Sequence, residues 1–331
     1  MGDPLTFSVG IPAFNQAEYL VETIESLLNQ TRPPDEIVIS DHYSTDHTAE
    51  VIERYKARVR GVKPPEGCDV SGQWRFTLSQ LKGDWVTLFS SDDVARPKFC
   101  EVLLRGAARR EDAVLVRAGW ENIDGVGDVV STNYLMSVKA VTVPPESLLE
   151  QRYGPKASFA AFAVKREVLE WAGGYPVAME SFGDWPMFMQ LAPFGSFIYE
   201  SELIAGYRVG HDGNKFRKRI GMWIRDEQRM FYDVMPLAAE RAGMTDVSWI
   251  DEASRANFMR YLASASREFE AEERTEIAPL FESWASRVGG KQELRRFAAG
   301  ESITAPVSLM QRGKRLVRPL AQGLYSRLRK A

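Results

Sequence analysis

Acidic side chains recur in this sequence directly after short apolar runs. Asp41 follows Glu36-Ile-Val-Ile-Ser40 and precedes Ser44-Thr45-Asp46. Ser90-Ser91-Asp92-Asp93 follows Trp85-Val-Thr-Leu-Phe89, and Asp184 stands before Trp185 and Pro186. A carboxylate in such a place has hard oxygens for Mg²⁺ or Mn²⁺ and can take a proton from a reacting hydroxyl. It is equally good turn or helix-cap chemistry, and Asp184 just ahead of a proline has the features of an N-cap. His42 and His47 read as pocket-rim or surface residues.

The elements around these residues decide whether they can meet. Residues 5–11 form a β-rich run that Pro12 is expected to close. Leu20, Ile24, Leu27 and Leu28 have helical spacing, and Arg32-Pro-Pro-Asp35 breaks that helix. Residues 36–40 read as a buried strand. Ser44-Thr45-Asp46 supplies cap chemistry for a helix carrying Val51, Ile52, Tyr55 and Val59. A helix over 74–81 ends at Gly83, and 85–89 is another strand. This alternation predicts a mostly parallel sheet flanked by helices, with ligands beyond the carboxyl ends of its strands. Pro12 to Asn15, Asp41 to Asp46 and Ser90 to Asp93 all fall at such ends. From 120 to 160 the pattern weakens, with Gly125, Gly127 and Pro144-Pro145 marking turns. Gly173-Gly174 is a tight turn, Asp184 opens a helix through Leu191, and beyond 215 the chain reads as successive helices. One of these carries Phe258, Tyr261, Leu262 and Ala265 on a single face.

Four motifs in this order, Ile11-Pro-Ala-Phe-Asn15, Ser40-Asp41 with Ser44-Thr45-Asp46, Ser91-Asp92-Asp93 and Gly183-Asp184-Trp185, resemble family 2 inverting GT-A glycosyltransferases over about residues 5–215. The resemblance implies a Rossmann-like GT-A α/β domain at 1–215; the helical C-terminal region expected at 216–331 rests on the run of helix patterns alone and matches nothing specific. The resemblance also implies transfer of a sugar, with inversion, from a nucleoside diphosphate sugar (UDP- or dTDP-linked) to a hydroxyl of a glycan or lipid-linked glycan. Pro12, Ala13, Phe14, Asn15, Glu18, Asp41 and Ser91 would line the nucleotide pocket, Asp41 accepting a hydrogen bond from the base. Asp92, with His211 as a second candidate, would hold Mg²⁺ or Mn²⁺, and Asp184 would be the catalytic base. Arg208 and Trp185 would face the diphosphate and the acceptor, Trp185 also desolvating Asp184. The sequence departs from the family pattern at Ser90, usually an acid, at His42 and Tyr43, usually an acid and a glycine, and by one extra residue before His211.

The bulk composition leaves this reading open and closes others. With 331 residues, 44% hydrophobic and 26% charged, the chain is globular, and a net charge of -3 offers no broad field for nucleic acid. Cys68 and Cys100 are too isolated for a zinc site or a disulfide scaffold. There is no secretory leader and no apolar stretch long enough for a membrane span, so the expectation is a cytoplasmic protein. The tail, about 311–331, carries Arg312, Lys314, Arg315, Arg318, Arg327, Arg329 and Lys330 with no acid, while Leu316, Leu320, Leu324 and Leu328 form a stripe. A basic amphipathic helix of that kind is expected to bind an anionic membrane surface from the inner face, the alternative being a helix docked on the protein's own surface or a disordered end. Two alternatives keep a similar fold: a non-catalytic sugar-nucleotide binder, and a sugar nucleotidyltransferase. The second would want a glycine-rich basic phosphate loop near the first strand, which the sequence lacks.

Overall fold

The computed structural model describes residues 4–135, 138–176, 179, 183–210 and 215–305. His211 and the basic tail lie outside them. Among the described residues ten strands form one sheet: β1 Phe7–Ala13, β2 Glu36–Asp41, β3 Arg60–Val62, β4 Trp85–Leu88, β5 Val94–Ala95, β6 Ala113–Ile123, β7 Val129–Asn133, β8 Val141–Thr142, β9 Phe162–Lys165 and β10 Ser196–Arg208. Their order is β3-β2-β1-β4-β9-β6-β10-β5, with β7 beside β6 and β8 beside β10. β3, β2, β1 and β4 are parallel, as the alternation predicts. β9 then runs antiparallel to both β4 and β6, and β10 is parallel to β6, so the sheet as a whole is mixed. The carboxyl ends of β1, β2, β4, β6 and β10 therefore share one edge.

Alternation along the strands divides the core into two layers. Phe7, Val9 and Ile11 of β1 face Leu20, Ile24 and Leu27 of the helix Ala17–Leu28, together with Phe99 and Leu103. On the other face Val86 and Leu88 of β4 join Leu115, Phe188 and Phe197, and the same cluster continues into Phe258, Trp284 and Phe297 of the C-terminal helices. Those helices include Lys215–Arg229, Ser248–Glu268, Glu282–Arg287 and Lys291–Ala298. They complete the core of the sheet rather than closing a core of their own.

Local departures from the sequence reading have physical causes. Pro12 does not end β1; it pairs with Ser40 inside the strand. Even-numbered β1 residues turn their backbone polar groups toward β4, whose last pair is Gly10 with Leu88, so the N–H that proline lacks has no partner to miss. The helix after Asp46 is short, Thr48–Arg54, and Val59 packs beyond its end. β6 escaped the pattern because Arg117 interrupts it; that side chain is buried against Glu150.

Candidate active site

Three loops leave the same edge of the sheet. After β1, Phe14 projects its ring into solvent at 55% exposure. Pro12 and Ala13 are buried behind it, and the Ala13 carbonyl accepts from His42 N at 2.9 Å and from Gln73 Nε2 at 3.1 Å. Gln73 Nε2 also donates to Ser40 O at 2.9 Å, so one buried amide ties the ends of β1 and β2 together. Asn15 has φ 51, the left-handed conformation that Asn tolerates best after glycine. Its Oδ1 accepts from Thr45 N at 2.8 Å and its own N–H donates to Ser44 Oγ at 3.0 Å. Asn15 thus clips the first loop to the second. Glu18 stands exposed on the first turn of the helix Ala17–Leu28.

Asp41 closes β2 at 4% exposure, and its Oδ1 accepts from Ser44 N at 3.0 Å. Beside it Tyr43 also has positive φ, 56, at the family's glycine position. Phe14, His42 and Tyr43 form a row of rings with centroids 6.0 and 6.3 Å apart. Lys63 Nζ lies 5.4 Å from the Tyr43 ring centre.

The third loop, after β4, is held from two sides. Thr23 Oγ1 sits between Ser91 O at 3.0 Å and Asp93 O at 2.8 Å. Opposite, Arg208 at the end of β10 donates from Nε to Asp92 O at 2.8 Å, while its backbone N–H meets Asp93 Oδ1 at 2.9 Å. Its Nη1 reaches Asp124 O and Gly125 O, its Nη2 reaches Glu22 at 2.6 Å, and Tyr19 covers its face at 4.6 Å. The side chain is 1% exposed. Arg208 therefore does not pair with phosphate as the sequence suggested; it clamps the acidic loop, the β6–β7 turn and the helix Ala17–Leu28. Sequence reasoning missed Glu22, Tyr19, Thr23 and Gln73, because nothing in their local pattern marks them.

Burial and the neighbouring Asp92 push the Asp93 carboxyl well above the usual carboxylate range, and its Oδ2 is buried without a hydrogen-bond partner. Asp92 is the more exposed of the two. Among the described residues no group of three or more His, Cys, Asp or Glu could hold a metal. One accessible carboxylate completed by substrate phosphate oxygens is nevertheless a sufficient donor set for Mg²⁺, which rarely uses an all-protein cage. The residues present fit that arrangement.

Asp184 is the first residue of the helix Asp184–Leu191, with Gly183 at the N-cap. Its Oδ1 accepts from Trp185 N at 2.8 Å. The carboxylate is half-buried, and desolvation raises its pKa from 3.8 to about 6. The ring of Tyr175 packs so closely on Gly183 that any Cβ there would fall 2.0 Å from it, which requires glycine. Trp185 is 2% exposed, donates its indole N–H to Gln151 O at 2.9 Å and meets Phe231 edge-on at 5.8 Å. It belongs to the core under Asp184 and offers no face to a substrate, contrary to the role expected for it at the diphosphate or acceptor.

Acids beyond parallel strands, an aromatic row beside Asp41 and helices closing the sheet define a GT-A-like fold. Residues 8–170 match the model of glycosyl transferase family 2. Hyaluronan synthase from Pasteurella multocida is 24% identical over 270 residues, which is 80% of this chain but 26% of the relative. The chain thus spans about a quarter of that protein's length. The structure of S. aureus TarS superposes with a TM-score of 0.63 at 17% identity, covering 89% of this chain and 53% of that one. TarS 1-349 in complex with UDP-GlcNAc gives 0.55 at 14% identity, covering 90% and 93%. Mannosyltransferase PcManGT from Pyrobaculum calidifontis, in complex with GDP-Man and Mn²⁺, gives 0.52 at 15%, covering 89% and 86%.

Proposed function

We propose that this chain is a metal-dependent, inverting glycosyltransferase. It moves a sugar from a nucleoside diphosphate sugar, UDP- or dTDP-linked, to a hydroxyl of a glycan or lipid-linked glycan. Residues 1–215 are the catalytic unit and 216–331 its helical extension. The observation that carries the proposal is Asp184: a half-buried carboxylate at a helix start whose pKa of about 6 suits a base acting near neutral pH. Relatives that build polysaccharide and a neighbour that binds UDP-GlcNAc support the donor and acceptor classes.

Asp41, Ser91 and Glu18, with Phe14, are assigned to the nucleotide. Asp41 has one oxygen engaged by Ser44 and can accept a ring N–H with the other. The exposed Phe14 ring offers a stacking face for the base. Asp92 is assigned to a Mg²⁺ or Mn²⁺, and such an ion neutralises the charge that develops on the diphosphate leaving group. Arg208 and Thr23 hold the main chain around Asp92 in place before substrate arrives. Asp184 takes the proton of the acceptor hydroxyl while that oxygen bonds to the anomeric carbon and the bond to the diphosphate breaks. One base and one displacement invert the anomeric centre without a covalent enzyme intermediate.

No helix of the described residues is long and apolar enough to cross a membrane. A lipid-linked acceptor is met at a membrane surface, and the basic tail is assigned to that contact on the cytoplasmic leaflet. The deciding experiment incubates the protein with Mn²⁺, a panel of UDP- and dTDP-sugars and oligosaccharide acceptors. Release of nucleoside diphosphate with a new glycosidic bond of inverted configuration supports the proposal. Release of pyrophosphate makes the protein a nucleotidyltransferase, and nucleotide-sugar binding without turnover makes it a non-catalytic binder.

A further inference from the structure

The helical region carries a hollow that the transfer chemistry does not use. It measures about 150 Å³ and is lined by Phe216, Trp223, Arg260, Tyr261 and Ser264. The first two residues come from the helix Lys215–Arg229 and the other three from the helix Ser248–Glu268. The Phe216 ring centre lies 5.7 Å from that of Trp223 and 6.3 Å from that of Tyr261. Arg260 is half-exposed, but its head is tethered: Nη2 lies 3.4 Å from a carboxylate oxygen of buried Glu227, and the guanidinium stands 5.8 Å from the Tyr261 ring centre. Ser264 follows Arg260 by four residues and so lies on the same helix face.

Apolar ring faces beside a pre-positioned guanidinium and a hydroxyl are the pattern of a small-molecule site, with aromatic lining and a few placed polar groups. The ligand that matches is a sugar ring, whose C–H face packs on an aromatic plane while its hydroxyls accept from the guanidinium and exchange bonds with Ser264. Arg260 stands beside the Glu227 carboxyl, whose pKa burial raises.

A relay of neighbouring groups leads from the hollow toward Asp184. Tyr261 hydrogen-bonds through its hydroxyl to Glu227. The neighbouring Asp226 acts electrostatically on Tyr175, as Asp184 does, and Tyr175 packs on Gly183. Phe216 also follows Arg208 by eight residues, which caps their separation at roughly 28 Å even for an extended chain. A short oligosaccharide spans that range.

We propose that this hollow is an acceptor subsite, holding one sugar ring of the growing glycan a few units back from the hydroxyl that reacts at Asp184. This inference rests on the glycosyl transfer proposed for the chain. The test uses saturation-transfer NMR on the full chain with hyaluronan tetrasaccharide, cellotetraose and chitotetraose as probes. UDP–Mn²⁺ binding is measured in parallel. The expected result is binding of at least one tetrasaccharide, weakened about tenfold in Trp223→Ala and in Arg260→Ala. Trp223→Phe should retain most of it. The melting temperature and UDP–Mn²⁺ affinity of each variant establish that it is folded, and Arg260→Ala, a half-exposed position, guards against collapse of Trp223→Ala. Equal tetrasaccharide affinity in folded variants and wild type overturns the subsite. So does a wild-type protein that binds UDP–Mn²⁺ but none of the three probes. Failure to bind UDP–Mn²⁺ or to turn over any nucleotide sugar counts instead against the transferase itself.

Discussion

Arg208 Nε donates to the main-chain oxygen of Asp92 at 2.8 Å, joining residues 116 apart in the chain. The same guanidinium holds Glu22, 186 residues away, at 2.6 Å. A side chain that resembles a phosphate ligand in sequence is thus the clamp that fixes the acidic loop.

Replacing Arg208 should therefore injure the site through its geometry. Arg208→Ala leaves the carbonyls of Asp92, Asp124 and Gly125 without their donor and removes a buried cation, a loss of roughly 3–5 kcal/mol. Arg208→Lys keeps the charge but not the planar fork, and should recover only part of this. Thermal unfolding together with calorimetry of UDP–Mn²⁺ binding reads both effects. Unchanged melting in Arg208→Ala would refute the clamp.

Asp184→Asn should abolish most turnover, by at least ~10²-fold, while nucleotide binding persists. The amide oxygen can still accept from Trp185 N–H. The folded protein holds the Asp184 proton more tightly than the unfolded chain, since the pKa rises from 3.8 to about 6. That contribution is fully present below pH 3.8 and is lost as pH rises through about 6. The Asn variant escapes this loss, so above pH 6 it should match or exceed wild-type stability by up to about 3 kcal/mol. In the wild-type enzyme kcat/KM should fall on the acid side with an apparent pKa of about 6. Flat activity down to pH 5, or near-wild-type kinetics in Asp184→Asn, removes Asp184 from the base role.

Asp92→Ala should weaken UDP binding in Mn²⁺ by at least about tenfold and leave binding in EDTA little changed, because the carboxylate acts through the ion. Full turnover of the wild-type protein in EDTA would show that no divalent ion is needed.

The basic tail, 311–331, should carry the protein to vesicles containing anionic lipid at low salt and release it at high salt. Each basic residue near such a surface contributes about 1 kcal/mol. Co-sedimentation of the full chain against a chain ending at 310 tests this. Equal pelleting of the two, or none by either, shows that the tail is no anchor.

Much of the site's framework was legible locally. Periodicity placed β1, β2, β4 and the helix Ala17–Leu28, because backbone conformation and the side of burial follow from near neighbours in the chain. It placed Asp41 and the loop Ser90–Asp93 at strand ends for the same reason. Pro12 misled, since its tolerance within β1 depends on where β4 stops. Trp185 and Arg208 misled too, since a tryptophan and an arginine carry the same local pattern whether they face a ligand or the core.

The sequence by itself determined the alternating α/β order and the acids at the carboxyl ends of the strands. These are consequences of local hydrophobic spacing and turn chemistry. Only the tertiary structure decided that Arg208 holds the Asp92 loop, that the Asp184 pKa rises to about 6, and that Phe216, Trp223 and Tyr261 converge on one hollow. Hydrogen-bond partners, desolvation and cavities are made by segments tens to hundreds of residues apart, so they exist only once the chain has packed.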